Sequence, residues 1–219
     1  MNFKELYEGV FSFDGKLATR NFSVGRKVYN EELIRYEGSE YRTWNPYRSK
    51  LAAAILNGLK NFKIGRGNAV LYLGAATGTT SSHVSDIVGE DGRVYCVEIS
   101  ERNMRDLIRV CESRDNMLPL LGDAMHTEKY SDVVMPCDVI YQDISARDQA
   151  LIIKANSIFL KKGGYAYFII KSQSIDISKK PKDVFDQELS KLGDEFEVVE
   201  TLSLEPFDSM HLFAVLRRM

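Results

Sequence analysis

The chain is short of most features that would mark a metal protein, a secreted scaffold or a membrane protein. It has three cysteines, Cys96, Cys111 and Cys137, with no Cys-x-x-Cys pairing among them. Cys96 and Cys137 fall in apolar strand-like runs, where inert buried thiols are the default, and a reducing cytosol fits. The three histidines are far apart and make no metal-ligand spacing. No apolar stretch approaches membrane-spanning length, and the charged start Met1-Asn2-Phe3-Lys4-Glu5 is no signal sequence, so a cytoplasmic location is expected. Repeats and low-complexity segments are missing as well. There is no Gly-x-Gly-x-x-Gly, which argues against a pyrophosphate-bearing dinucleotide. No Asp-Asp or Asp-x-Asn pair stands at a strand end, which argues against a divalent metal of the catechol-methyltransferase kind. Excess positive charge is lacking too. The formal net charge is −2, and a protein that grips nucleic acid alone is usually more basic.

What is present is an ordinary globular composition, 44% hydrophobic and 27% charged over 219 residues, enough for one large domain with a small appendage. The charge is uneven. Residues 1–68 carry 12 Lys/Arg against 7 Asp/Glu, and the rest carries 17 against 24. If RNA is the substrate, the N-terminal part supplies the local positive surface.

The organising stretch is Val70 to Ser100. An apolar run, Val70-Leu71-Tyr72-Leu73, leads into Gly74-Ala75-Ala76-Thr77-Gly78-Thr79-Thr80. A helical pattern follows with Val84, Ile87 and Val88 on one side. Gly89-Glu90-Asp91-Gly92 breaks it, and Val94-Tyr95-Cys96-Val97 ends at Glu98. Strand, glycine turn, helix, strand and acid form the layout of a nucleoside site in an open α/β sheet. Glu98 is placed to accept from both hydroxyls of a ribose. A third strand, Leu118-Pro119-Leu120-Leu121, runs into Gly122-Asp123-Ala124, which sets Asp123 across the cleft to accept from an adenine amino group. Two acids and no phosphate loop fit S-adenosylmethionine.

In chain order, residues 1–44 read mostly as strand. Gly9 to Phe13 and Lys16 to Thr19 flank the hairpin turn Asp14-Gly15, and Val24 to Tyr29 and Glu40 to Trp44 are further strands. Ser49 caps a helix with Leu51, Ala52, Ile55, Leu56 and Leu59 at helical spacing. Ser100 caps a second, reaching about Ser113, with Met104, Leu107, Ile108 and Cys111 inward. Cys137 to Gln142 is a strand delivering Asp143. Arg147 to Leu160 reads as a helix stopped by Lys161-Lys162-Gly163-Gly164. Tyr165 to Ile170 is an apolar strand delivering Lys171, and a helix near Lys182 to Leu192 follows. Phe196 to Leu202 and His211 to Leu216 close the chain as successive strands. The expected fold is an α/β, Rossmann-like class I methyltransferase sheet with an antiparallel last strand, spanning 49–219, plus a small β-rich unit at 1–48.

Catalytic groups in such sheets collect at the carboxyl ends of strands. An acid and a lysine there, Asp143 and Lys171, suit attack by a hydroxyl on a methyl sulfonium, where the enzyme aligns the nucleophile and handles its proton. A plain strand-end ion pair is the alternative. Lys50 and His211 read as a solvated lysine and a strand-edge histidine. A small-molecule O-methyltransferase and a non-catalytic scaffold of the same fold stay open at this point.

Three stretches resemble the fibrillarin family: Tyr72 to Asp86, Trp44-Asn45-Pro46-Tyr47-Arg48-Ser49-Lys50-Leu51-Ala52-Ala53, and Gly122-Asp123-Ala124. The likeness spans the chain without the Gly/Arg-rich tail of eukaryotic members, and is greatest to the archaeal fibrillarin-like proteins. The resemblance implies guided ribose 2′-O-methylation of rRNA and tRNA. The implied setting is a particle with a box C/D guide RNA, a Nop-type scaffold protein and a kink-turn-binding ribosomal-type protein. It places Thr79 and Thr80 against the methionine part of the cofactor, with Gly74 and Ala75 in the turn. Glu98 and Ile99 go to the ribose, and Asp123 and Ala124 to the adenine. Asp143, Ile144, Ser145 and Ala146 border the sulfonium. It also implies a catalytic set Lys50, Asp143, Lys171 and His211. One departure is Ser145-Ala146-Arg147, where the family usually has Ala-Gln-Pro or something close.

Overall fold

The computed structural model describes residues 2–219. Asp14 and Gly15 both adopt positive φ, 48° and 85°, the requirement of a two-residue turn whose twist matches its strands. They join β2 (Val10–Phe13) to β3 (Lys16–Arg20). β1 (Phe3–Tyr7), β4 (Leu33–Tyr36) and β5 (Ser39–Thr43) complete an antiparallel sheet ordered β1-β2-β3-β5-β4. β1 and β4 were not foreseen. The strand expected at Val24 to Tyr29 is a loop instead. The Glu31 carboxylate accepts from the Val28 and Tyr29 N–H groups, both at 2.7 Å, so a side chain takes the donors that a strand ladder would need.

Ser49 caps α1 (Lys50–Leu56), accepting from Ala52 N. The helix stops before Leu59. Gly58 is left-handed at φ 88°, Leu59 N bonds Ala54 O, and Gly58 N bonds Ile55 O, a paired closure of the last turn that leaves Leu59 buried just beyond it.

The second sheet has seven strands, ordered β11-β12-β10-β9-β6-β7-β8. β6 (Ala69–Leu73), β7 (Arg93–Glu98), β8 (Met117–Leu121), β9 (Cys137–Gln142) and β10 (Leu160–Lys171) run parallel. β12 (His211–Arg218) inserts antiparallel between β10 and β11 (Phe196–Ser203). α2 (Thr79–Val88) and α3 (Glu101–Cys111) cross over between the first three strands. In α3 only Met104 and Leu107 are buried. Ile108, expected inward, is exposed, since it lies one residue around the helix from the narrow buried stripe. The helix expected at Arg147 to Leu160 is shorter. α4 (Gln149–Asn156) gives way to a tight turn, and β10 begins at Leu160. Lys161-Lys162-Gly163-Gly164 is thus part of the strand rather than a helix stop. Leu160 pairs with Cys137 and Tyr165 with Val139, so the glycines absorb a bulge between them. α5 (Ser172–Ile175) and α6 (Pro181–Ser190) precede the final hairpin.

The two sheets share one core, in which Val10, Leu17 and Trp44 join Leu51, Val84 and Ile87. A buried polar cluster fastens them further. Arg42 on β5 pairs with Glu31 and with Asp86 of α2, each at 2.9 Å, and Arg114 reaches Asp86 at 2.6 Å. Asp86 also accepts from Thr19 Oγ1 at 2.6 Å and Phe22 N at 2.9 Å. His83, stacked on Trp44, lies between Thr19 and Tyr29. No helix among the described residues is long and apolar enough to cross a membrane.

Candidate active site

The chain leaves β6 toward β7 and β8 on one side, then returns to build β9 and β10 on the other. Ligand crevices open at such a reversal, beyond the carboxyl ends of the strands. A cavity of about 470 Å³ lies there. Gly74 makes it possible. Its φ is +83°, and a Cβ at this position would stand 2.7 Å from the Asp143 carbonyl oxygen, so any larger residue would push β6 and β9 apart.

Glu98, Ile99, Asp123, Ala124, Asp143, Ile144, Ser145 and Ala146 all line this cavity, together with Gly74 and Lys171. Glu98 is buried, yet incompletely used by the protein. Its Oε1 accepts from Ser100 N at 2.8 Å and, at 3.5 Å, from Asn103 Nδ2, whereas its Oε2 accepts only from Ala76 N, at 2.8 Å. Each oxygen holds two lone pairs, so Oε2 keeps acceptor capacity for a ligand hydroxyl. Asp123 Oδ1 accepts from Met125 N at 2.9 Å, and Oδ2 has no partner among the described residues. Ile99 gives an apolar wall at the mouth, 66% exposed. Two acids with spare acceptors and an apolar face fit a nucleoside without phosphates. No group of three metal-binding side chains occurs among the described residues.

Three of the residues expected to bind the cofactor do not line this cavity. Ala75 is buried and does not line the cavity. Thr79 lines a different groove, on the far side of the glycine turn. Thr80 is buried and donates its hydroxyl to Ser49 Oγ at 3.0 Å, tying α2 to the start of α1.

Asp143 and Lys171 meet as adjacent strand ends should. Lys171 Nζ lies 2.7 Å from Asp143 Oδ1 and donates to the Asp143 carbonyl at 3.1 Å and to Ser145 Oγ at 3.2 Å. Lys50, first residue of α1, places its Nζ 3.2 Å from each Asp143 carboxylate oxygen. All three side chains keep some solvent access, 12–20%. Burial alone would push the Asp143 carboxyl up. The Lys50 and Lys171 ammonium charges outweigh it and hold the group below the usual aspartate range, so it is anionic at neutral pH. Beneath it Tyr72 stacks on Tyr141 at 4.5 Å. Burial first, and then the Asp143 charge, keeps the Tyr72 hydroxyl well above its ordinary value and protonated.

His211 is the direct cross-strand neighbour of Lys171. Its Nδ1 contacts Asp208 at 2.6 Å rather than Asp143. Ser145, expected at the sulfonium end, accepts a hydrogen bond from Lys171. One further residue was not singled out from sequence. Gln149, fully buried, accepts from Lys171 N at 2.9 Å and donates to Ala146 O at 2.9 Å, locking the end of β10 to the loop after β9. Nothing in the local sequence distinguishes this glutamine from a solvated one.

The Fibrillarin family model matches residues 1–219. The chain is 51% identical, over 98% of both lengths, to a fibrillarin-like rRNA/tRNA 2′-O-methyltransferase of Thermococcus onnurineus. It superposes with a TM-score of 0.91 on Aeropyrum pernix fibrillarin in complex with natively bound S-adenosyl-L-methionine, at 42% identity and covering 99% of this chain and 98% of that one. It superposes equally on the fibrillarin of a fibrillarin/Nop5p complex, with a TM-score of 0.90, 41% identity, and coverage of 99% and 100%.

Proposed function

This chain belongs to the fibrillarin family, and we propose that it methylates the ribose 2′-hydroxyl of rRNA and tRNA, directed by a box C/D guide RNA. The observation that carries the reading is the contiguity of two arrangements: a cavity with spare acceptors on Glu98 and Asp123, and the Asp143–Lys171 pair on its wall, to which Lys50 is joined through Asp143. The proposed working partners are a Nop-type scaffold, a kink-turn-binding ribosomal-type protein and the guide, in the cytoplasm. Residues 49–219 form the methyltransferase unit and residues 1–48 the small β-rich unit.

S-Adenosylmethionine supplies a methyl carbon on a sulfonium, already a good leaving group, so the protein's task is alignment. Glu98 accepts from the ribose of the cofactor with Ile99 beside it. Asp123 and Ala124 border the adenine, and Gly74 and residues 143–146 lie toward the methyl end. Lys171, held by Asp143 and Ser145, presents an ammonium to the incoming 2′-oxygen and limits its rotation. As the new C–O bond forms and the C–S bond breaks, Lys171 hands one ammonium proton to the Asp143 carboxylate and takes the hydroxyl proton in its place. Lys50 keeps the Asp143 charge in place from the opposite side, and His211 backs Lys171 from the neighbouring strand. Catalysis of this kind rests on orientation and charge placement.

Guided methyl transfer is the test. The purified chain with scaffold, kink-turn protein, a guide and a matching target should methylate one target ribose. The chain alone should transfer poorly, since its net charge of −2 gives little grip on RNA. Absence of transfer in the complete assembly would contradict the reading.

A further inference from the structure

A second groove is separate from the cofactor cavity. It measures about 760 Å³ and lies between the loop at 23–30, the start of α2 and the outer face of α3. Arg26, Lys27, Arg48 and Arg109 line it, against Asp106 and Glu112. Arg109 is neutralised by Asp106 at 3.0 Å. Arg26, Lys27 and Arg48 are exposed and have no carboxylate within salt-bridge distance among the described residues. The Arg48 guanidinium is stacked 5.0 Å above the Tyr29 ring, which preorders it with its edge donors free. The groove also adjoins the reacting groups. Arg48 precedes Lys50 by two residues, and Thr79 in the groove wall precedes Thr80, whose hydroxyl holds Ser49.

We propose that this groove is a second binding site, for the sugar–phosphate backbone of the RNA strand that carries the target ribose, gripping phosphates outside the modified nucleotide. The assignment rests on the RNA-methylating reading above. Guanidinium and ammonium donors suit phosphate oxygens. Contacts to phosphate position a strand without reading its sequence, as a guided enzyme requires. The groove gathers three of the cations of residues 1–68 that no carboxylate pairs among the described residues, on a chain whose remainder is acidic.

The test uses the full chain and a fluorescent single-stranded RNA of about 12 mixed nucleotides, with anisotropy read from about 50 mM salt upward. Wild type should bind weakly and with a steep salt dependence. The triple variant Arg26→Ala/Lys27→Ala/Arg48→Ala should lose about two units of slope in log affinity against log salt, and about a hundredfold in affinity near 0.1 M salt. Its S-adenosylmethionine affinity should not change. Arg26→Lys/Arg48→Lys should keep the slope. If the triple variant fails to bind cofactor, Lys27→Glu alone, on the exposed loop, should still reduce affinity and slope. Unchanged RNA affinity and slope in these variants would overturn the proposal, as would wild-type binding that is insensitive to salt or undetectable. Intact RNA binding with lost affinity for the scaffold would assign the groove to a protein instead. Guided methylation by the wild-type assembly decides the underlying reading separately: transfer there with unaltered RNA binding by the variants sinks only the groove.

Discussion

Two aspartates in this protein each stand between two cations, and they do opposite work. Asp86 lies between Arg42 and Arg114 with all three side chains fully buried. Thr19 Oγ1 and Phe22 N complete its coordination. Asp143 lies between Lys50 and Lys171, part-exposed on a cavity wall. Guanidinium is permanently charged and its planar fork suits a fixed, dry network. A lysine is a compact donor on a flexible stem and gives up its proton far more readily. Arginines around an enclosed carboxylate therefore hold two sheets together, whereas lysines around a reachable one suit the proton handling proposed for Asp143 and Lys171.

The largest effect should come from the enclosed cluster. Asp86→Ala would leave Arg42 and Arg114 buried without their shared carboxylate and should cost about 3–5 kcal/mol of stability. Chemical denaturation would show it, and the fraction that remains folded should transfer methyl groups at a near-normal rate. The second effect is kinetic. Lys171→Ala should slow single-turnover transfer about a hundredfold or more, with little change in cofactor affinity, and Lys171→Arg should rescue it poorly. Both would blur the comparison if they moved rate and stability together. Third, Glu98→Ala and Asp123→Ala should each weaken S-adenosylmethionine binding by about 1–3 kcal/mol in calorimetry; unchanged affinity in both would remove the cofactor assignment.

The smallest effect separates the two clusters by pH. His83, beside the enclosed aspartate, is pushed well below its ordinary value, first by burial and then by the Arg42 and Arg114 charges. The unfolded chain therefore binds a proton near pH 6.5 that the folded chain refuses. Its contribution is fully present above that pH and should fall by about 1.4 kcal/mol per unit below it. Asp143 is held low, so its contribution is present above its unfolded value and is lost only as pH drops below about 4. Urea melts across pH 4.5–7.5 of wild type and His83→Gln should show the first window in wild type alone.

The catalytic lobe was readable because its signals are local: apolar runs of strand length, a glycine turn, capping serines, and charged residues falling at strand ends. Gly74, Glu98, Asp123, Asp143 and Lys171 all stood at such junctions. The enclosed cluster was not readable. Arg42 and Asp86 are 44 residues apart, Asp86 and Arg114 another 28, and a charged residue in sequence does not declare its partner. His83 and Asp86 belong to the stretch that resembles the family signature, yet they anchor the N-terminal sheet rather than the cofactor. The same limit explains the misread segments. Residues 24–29 look like a strand until Glu31, held by Arg42 of β5, claims the Val28 and Tyr29 N–H groups. Lys161-Lys162-Gly163-Gly164 looks like a helix stop until sheet pairing draws Leu160 onto Cys137.

Substitution of the reachable aspartate tests the contrast most directly. Asp143→Asn, assembled with scaffold, guide and target at saturating S-adenosylmethionine, should lose about a hundredfold or more in single-turnover rate. Its melting temperature should stay within a few degrees of wild type, because the two lysines it leaves behind keep access to water. A near-normal rate in a protein that melts markedly lower would contradict the account, and would make this cluster a structural lock like the one around Asp86.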